Sequence, residues 1–383
     1  MRILYLTHVN SMDGANKSLL QLVEEVRSRP DVHPIVVCPS QGAEAPYSLA
    51  QICKSKGIEC YPLPLVWFKQ KGDKPLLERI HTALAMAKWT AYLIFRLRHV
   101  RFDLVHSNSS VIDMGAYLAL SRGVPHVWHL REFGEEDFQL KSVLGKRYER
   151  AIYRTSTCAI AISHTIEDKF KAFFPNRIRM IYNGVVPAEE AMAATHQEEV
   201  TTFCMLGRLE PNKNQLEALQ ALALLKKRTQ RPFRLLLVGK PTAQEYIADL
   251  KRYVKNNGLE DCVTFIAYRK DISQLLQKCD VGLMLSTSEA FGRVTVEYMM
   301  HNLAVIVSDT GANSEIVENG KSGLVYPLGN VVLLADKMQE LVENRPLLEL
   351  LAAGGKQRAM THFTSVRNSN EIYDLYQTLL RKE

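Results

Sequence analysis

The sequence predicts an α/β protein of two successive domains, each a mostly parallel sheet with helices on both faces. Three observations carry this. Short apolar runs alternate with longer amphipathic ones from end to end, a βαβα rhythm. The rhythm breaks once, near "NGVVPAEEAMAATHQEEVTT", and then restarts. The chain has 383 residues, more than one ordinary core organises.

In the first half, "RILYLTH", "HPIVVCPS", "FDLVHSN", "PHVWHL" and "CAIAIS" read as strands, while "SLLQLVEEVRS" and "APYSLAQICKSKG" have helical spacing. Pro187, a cluster of glutamates and small residues put the linker at about 186–199, which bounds a first domain at 1–188. The second domain, 199–361, restarts with "TTFCMLGRL" and continues through "FRLLLVGK", "CVTFIAY", "VGLMLS", "AVIVSDT" and "GLVYP". The remainder, 362–383, contains "SVRNSNEIYDLYQTLLRKE", one long amphipathic helix expected to pack back on the first domain.

Composition narrows the function classes. A hydrophobic content of 46% with 23% charged residues is that of a soluble globular chain. No apolar run approaches the roughly 20 residues that span a bilayer. The opening "MRILYLTHVNSMDG" reads as a buried strand and its loop, not a signal peptide. Seven scattered cysteines with no C-x-x-C pair support neither a disulfide framework nor a zinc ribbon, so reduced thiols in a cytoplasmic protein are expected. The net charge of +7 is concentrated. From Lys54 to Arg101 there are ten basic residues against three acidic ones (Glu59, Asp73, Glu78), an excess of seven. The rest of the chain is near neutral, which argues against a nucleic-acid binder.

Ligands of open parallel sheets bind beyond the carboxyl ends of the strands, so loops that follow strands are where chemistry is expected. The first such loop, "THVNSMDGANKSLLQL", sets Gly14 at a helix start, where backbone N–H groups could approach a phosphate or sugar; a plain βα turn is the alternative. Neither G-x-G-x-x-G nor G-x-x-x-x-G-K-[ST] occurs, which weakens dinucleotide and P-loop readings. In "LGRLEPNKNQLEAL", Gly207, Arg208 and Lys213 follow a strand. A guanidinium fork and a compact ammonium together suit a diphosphate.

The stretch "STSEAFGRVTVEYMM" sets Glu289 and Glu297 eight positions apart. Gly292 argues that the helix begins only at Arg293. Backbone N–H groups of Phe291, Gly292 and Arg293 are then expected to point at a diphosphate from a helix N-terminus. Glu289 would lie at its reacting side and Glu297 about two turns deeper, towards a nucleoside, so the two hold opposite ends of a nucleotide-sugar. A glutamate favoured by the helix dipole is the bland alternative for either residue. No D-x-D, H-E-x-x-H or EF-hand pattern is present, so no metal site is expected.

These motifs resemble, in order, those of retaining glycosyltransferases of the GT-B fold, family 4: "GRL…NKNQ", the E-x7-E segment and "SDTGANSEIVENGKSGLVYP". In the first half "GANKSLLQL", "HVWHLRE" and "IYNGV" are similar too. The resemblance covers essentially the whole chain. It implies two Rossmann-like domains facing a cleft, and a sugar moved from a UDP- or GDP-linked donor, as substrate and without a cofactor, to a glycan or lipid-linked acceptor. Arg208 and Lys213 resemble the pair that neutralises the donor diphosphate. Glu289 resembles the contact to the donor sugar, Glu297 the ribose ligand, His129 the histidine that reaches the sugar from the first domain, and Gly14 the glycine near the phosphates. Ala290 departs from the family's usual glycine, which bears on donor identity. From the residues alone, His129 is as readily a satisfied core histidine as a ligand, with His126 and His106 weaker candidates.

Two other readings share these features: a GT-B-like nucleotide-sugar epimerase, and a non-catalytic nucleotide-sugar binding module. The basic stretch adds an expectation of its own. Trp67, Phe68, Trp89, Tyr92 and Phe95 stand among Lys69, Lys71, Lys74, Lys88, Arg96 and Arg98. That pattern suggests a peripheral contact of residues 66–101 with an anionic membrane, at the inner face of the cell membrane. A core-facing helix with an ordinary basic outer face is the alternative.

Overall fold

The computed structural model describes residues 1–187, 200–269 and 271–381, so all but the first two residues of the expected linker lie outside the described residues. The chain divides into two compact units, Met1–Gly184 with Ser365–Glu383, and Val185–Thr364.

The first unit holds strands β1 (Arg2–Leu6), β2 (His33–Pro39), β3 (Glu59–Leu63), β4 (Lys69–Lys71), β5 (Leu104–Ser107), β6 (His126–Leu130), β7 (Leu140–Ser142), β8 (Cys158–Ala161) and β9 (Ile178–Met180). Seven of them form one parallel sheet in the order β3-β2-β1-β5-β6-β8-β9, while β4 and β7 pair antiparallel by themselves. A parallel sheet covered on both faces needs strands that are apolar throughout, and β1 shows why. Its Ile3 and Tyr5 join one core with Leu19, Leu22, Ile372 and Tyr376. Its Leu4 and Leu6 join another with Leu93, Leu97 and Leu118. The C-terminal helix Ser365–Leu380 thus supplies part of the first unit's core through Ile372 and Tyr376.

The second unit holds β10 (Thr201–Leu206), β11 (Phe233–Val238), β12 (Val263–Ile266), β13 (Val281–Met284), β14 (Ala304–Ser308) and β15 (Leu324–Tyr326). All are parallel, in the order β12-β11-β10-β13-β14-β15. This is the doubly wound order, whose switch point falls between β10 and β13. Both sheets are Rossmann-like, as the sequence implies.

Two expectations about the basic stretch need correcting. Phe68 is fully buried and Lys69 nearly so, with Lys69 Nζ 2.6 Å from Glu149 Oε1. Trp67 is half-buried and donates its indole N–H to the His8 carbonyl. These residues belong to the packing around β4 and cannot meet a surface. Spacing alone could not show this, because a three-residue strand leaves no periodicity to read. All seven cysteines are free, and six are buried. Among the described residues no helix is long and apolar enough to cross a membrane.

Candidate active site

The second unit brings two loops to its switch point. After β10 the chain runs through Gly207 and Arg208 to a single 3-10 turn, Pro211–Lys213, and then into the helix Gln215–Arg228. After β13 it runs through Ser286 and Glu289 to the helix Arg293–Met300. The Asn212 carbonyl accepts from the Thr287 N–H, which ties the two loops together. Lys213 Nζ then lies 3.2 Å from Glu289 Oε2 and 3.3 Å from Ser286 Oγ. Arg208 is more exposed, with Nη2 3.0 Å from Glu210 Oε1.

Gly292 caps the second helix at φ +90°, a backbone conformation open to glycine at little cost. The helix therefore starts at Arg293, as the sequence suggests, and the two glutamates sit on either side of that bend. Glu289 Oε1 accepts from the Gly292 N–H at 3.2 Å. This corrects one expectation: the Gly292 N–H is satisfied by Glu289 and does not point outward. Glu297, one helix turn inside, accepts from Arg293 Nε at 3.0 Å. The Phe291 side chain is buried edge-on against Phe363 and so is not exposed to a ligand.

The loop after β14 braces this arrangement. Ala312 N–H donates to the Glu289 carbonyl, and a Cβ on Gly311 would fall 2.1 Å from that same oxygen. Ser308 Oγ and Thr310 Oγ1 both donate to the Ser286 carbonyl. Thr295 Oγ1 and Asn313 Oδ1 are buried and lack a hydrogen-bond partner; they lie 3.4 and 3.5 Å from where a Cβ on Gly292 would stand. Buried polar groups ordinarily find partners, so these two atoms beside a helix N-terminus, with none among the described residues, are open to a polar ligand. The sequence reading missed Ser286, Thr295, Gly311 and Asn313. Their signal was position: each lies in or beside a loop that follows β13 or β14.

Gly14 and His129 stand in the first unit. Gly14 opens the helix Gly14–Arg27 after the loop of β1, which Asp13 caps through the Asn16 N–H. A Cβ on Gly14 would meet nothing within 4 Å, so no packing in the protein itself requires glycine there. His129 is fully buried on β6. Its Nδ1 lies 3.3 Å from Arg131 Nη2 and 3.1 Å from His106 Nε2, and His106 Nδ1 lies 2.7 Å from the Tyr376 hydroxyl. A guanidinium only donates, so His129 Nδ1 is an acceptor. His106 must then donate from Nε2 and accept from Tyr376 at Nδ1. This leaves the His129 proton on Nε2, which is buried and without a partner. Burial first, then the Arg131 charge and a neighbouring imidazole (His126 for His106, His106 for His129) hold both imidazoles well below the usual histidine range, so both are neutral.

Chemically, the second unit combines a lysine, an arginine and a helix N-terminus that suit an anion, flanked by two carboxylates that suit hydroxyls. Among the described residues no group of three or more histidine, cysteine, aspartate or glutamate side chains is placed to hold a metal ion.

Comparison with known proteins bears on the family and the fold. Residues 12–189 match the model of Glycosyltransferase Family 4, and residues 188–358 match that of Glycosyl transferases group 1. The chain is 26% identical over 300 residues to the UDP-Gal:alpha-D-GlcNAc-diphosphoundecaprenol alpha-1,3-galactosyltransferase of Escherichia coli, covering 73% of this chain and 76% of that one. It is 28% identical over 240 residues to the N-acetyl-alpha-D-glucosaminyl L-malate synthase of Bacillus anthracis, covering 60% and 61%. Among solved structures, Anabaena HepE in complex with UDP superposes with a TM-score of 0.80 at 22% identity, over 99% of this chain and 100% of that one, which shows a shared fold.

Proposed function

The chain belongs to the group 1 glycosyl transferases and has their GT-B architecture, and from that premise we propose that it moves a sugar, with retention, from a UDP- or GDP-linked donor to a glycan or lipid-linked acceptor. The observation that carries this reading is the meeting of Lys213 and Glu289 at the β10/β13 switch point, beside the unpartnered hydroxyl of Thr295. A uridine donor is favoured because HepE is described with UDP and UDP-glucose, and the E. coli relative is named for UDP-Gal.

In this proposal the bond from the anomeric carbon to the diphosphate breaks as a bond to the acceptor oxygen forms on the same face. The acceptor's proton passes to the departing phosphate oxygen. Arg208, Lys213 and the N–H groups of Phe291 and Arg293 offset the charge that grows on the diphosphate, the task a metal performs elsewhere. Glu289 accepts hydroxyls of the donor sugar, and Glu297 those of the ribose. His129 offers its Nε2 proton to the sugar, and Gly14 leaves room for the phosphates. The process is the building of a cell-surface polysaccharide, in the cytoplasm or at the inner face of the membrane.

A panel of UDP-, GDP- and dTDP-sugars, screened for thermal shift and slow hydrolysis, tests the reading. NMR of the released sugar reads the anomeric configuration. Release of an epimerised nucleotide-sugar without any acceptor would identify an epimerase instead. Tight binding with neither hydrolysis nor transfer would identify a binding module.

A further inference from the structure

The helix Leu76–Arg96 has 21 residues and buries only Met86, Thr90 and Leu93. A helix on a globular surface normally turns a polar face outward. This one does not. Leu77, Ile80, Leu84, Ala87, Ala91 and Phe95 recur at spacings of three and four, which places them on one face, opposite the buried residues. Leu77 is 72% exposed, Leu84 64% and Phe95 57%. The helix is therefore apolar on two sides, and its own fold uses only one.

What borders the second side identifies its partner. Lys88 Nζ sits 4.8 Å from the Trp89 ring centroid, and the Arg98 guanidinium 4.0 Å from that of Phe95. Lys71, Arg96 and Arg101 are exposed nearby in the chain. The two acids within residues 66–101 are already engaged, Asp73 with Lys141 at 3.0 Å and Glu78 with Lys74 at 3.4 Å. We propose that the outward face of the helix Leu76–Arg96 docks on an anionic lipid bilayer. The helix, roughly 30 Å long, lies in the interfacial plane with its leucines and Phe95 among the acyl chains and its cations at the phosphates. It is not apolar enough to cross. A second copy of this chain is the rival occupant, but self-pairing would bring a cation-rich face onto itself with its acids already taken. The proposal is independent of the donor site, because no residue of this face takes part in donor binding.

The test is cosedimentation of the full chain with phosphatidylcholine vesicles containing 0 to about 40% phosphatidylglycerol, at low and high salt. Binding should rise at least tenfold with the anionic lipid and fall with salt. Leu77→Ser, Leu84→Ser and Phe95→Ser together should abolish it, and Lys88→Gln, Arg96→Gln and Arg98→Gln together should weaken it several-fold. All six positions are surface-facing, so donor hydrolysis measured without vesicles should be unchanged, and this separates failure here from failure of the donor site. A Leu84→Trp reporter should shift its emission to the blue only with anionic vesicles. Binding that ignores anionic lipid, or survives the serine substitutions, overturns the proposal. So does sedimentation velocity showing a dimer that the serine variant dissolves.

Discussion

Lys213 Nζ lies 3.2 Å from Glu289 Oε2, and this contact joins the loop after β10 to the loop after β13. Both side chains are mostly shielded from solvent, while Arg208 is largely exposed. Each cation therefore already faces a carboxylate, and a diphosphate would exchange that partner for a more highly charged one. Replacing Lys213 or Arg208 with Ala should lower kcat by roughly 10²-fold or more while the protein remains folded. Near-normal kcat with an unchanged melting curve would remove the residue from the mechanism. Lys213→Ala and Glu289→Ala should also be non-additive, because each leaves the other's charge without its partner.

Glu289 and Glu297 should fail in different ways. Glu289 borders the lysine and the bend, and its replacement by Ala should mainly reduce turnover. Glu297 lies a turn inside the helix against Arg293, and Glu297→Ala should mainly weaken binding of the free nucleoside diphosphate. Calorimetry with the diphosphate decides. Equal losses of affinity in the two variants would mean that their assignments to the two ends of the donor are wrong.

Gly14 and Gly311 offer a contrast between ligand space and protein packing. Gly311 has φ +55° and would press a Cβ against the Glu289 carbonyl, so Gly311→Ala should cost on the order of 2 kcal/mol and impair turnover with it. Gly14→Ala meets no protein atom, so melting should be unchanged while the donor KM rises. Loss of stability in Gly14→Ala, or none in Gly311→Ala, would reverse these roles.

Acid should destabilise the first unit through its buried histidines. Burial lowers His126 to about 3, and His106 and His129 lie well below the ordinary 6.5. Their folded values are depressed, so below about pH 6.5 the unfolded chain takes protons that the folded one refuses. Each contributes a loss of about 1.4 kcal/mol per pH unit. Asp113 and Asp137 act in the opposite sense, because burial raises both to about 6 and the folded form gains those protons first. The net effect is a fall in melting temperature that begins near pH 6.5 and becomes shallower below 6. A melting temperature that is flat from pH 7 to 5.5 would contradict the burial of these three rings.

The two parallel sheets were legible because strands buried on both faces are continuous apolar runs, and β1, β10 and β14 are of that kind. The short pair β4 and β7 was not, with three residues each and Lys69 buried by an ion pair that sequence cannot reveal. At the candidate site, the meeting of charged residues such as Lys213 and Glu289 was suggested by residue type and their place after strands. The Thr295 hydroxyl and the Asn313 amide oxygen were not, because their importance lies in being buried without a partner among the described residues. His106 and Tyr376 were equally hidden. They are 270 positions apart, and only the folded chain brings them to 2.7 Å.

That last contact bears on how the protein is made. The first unit is complete only when Ser365–Leu380 has been added, since Ile372 and Tyr376 fill its core. A ribosome releases the residues up to Gly184 long before it reaches Ser365, with the whole second unit in between. At about 5–20 residues per second the gap lasts roughly 10 to 35 seconds. Val185–Thr364 is itself made during that interval, and at its end has all of its own strands, while the earlier-made half still waits for its final helix. The C-terminal helix thus acts as a completion signal, and a chain released early would lack the hydroxyl that donates to His106 Nδ1.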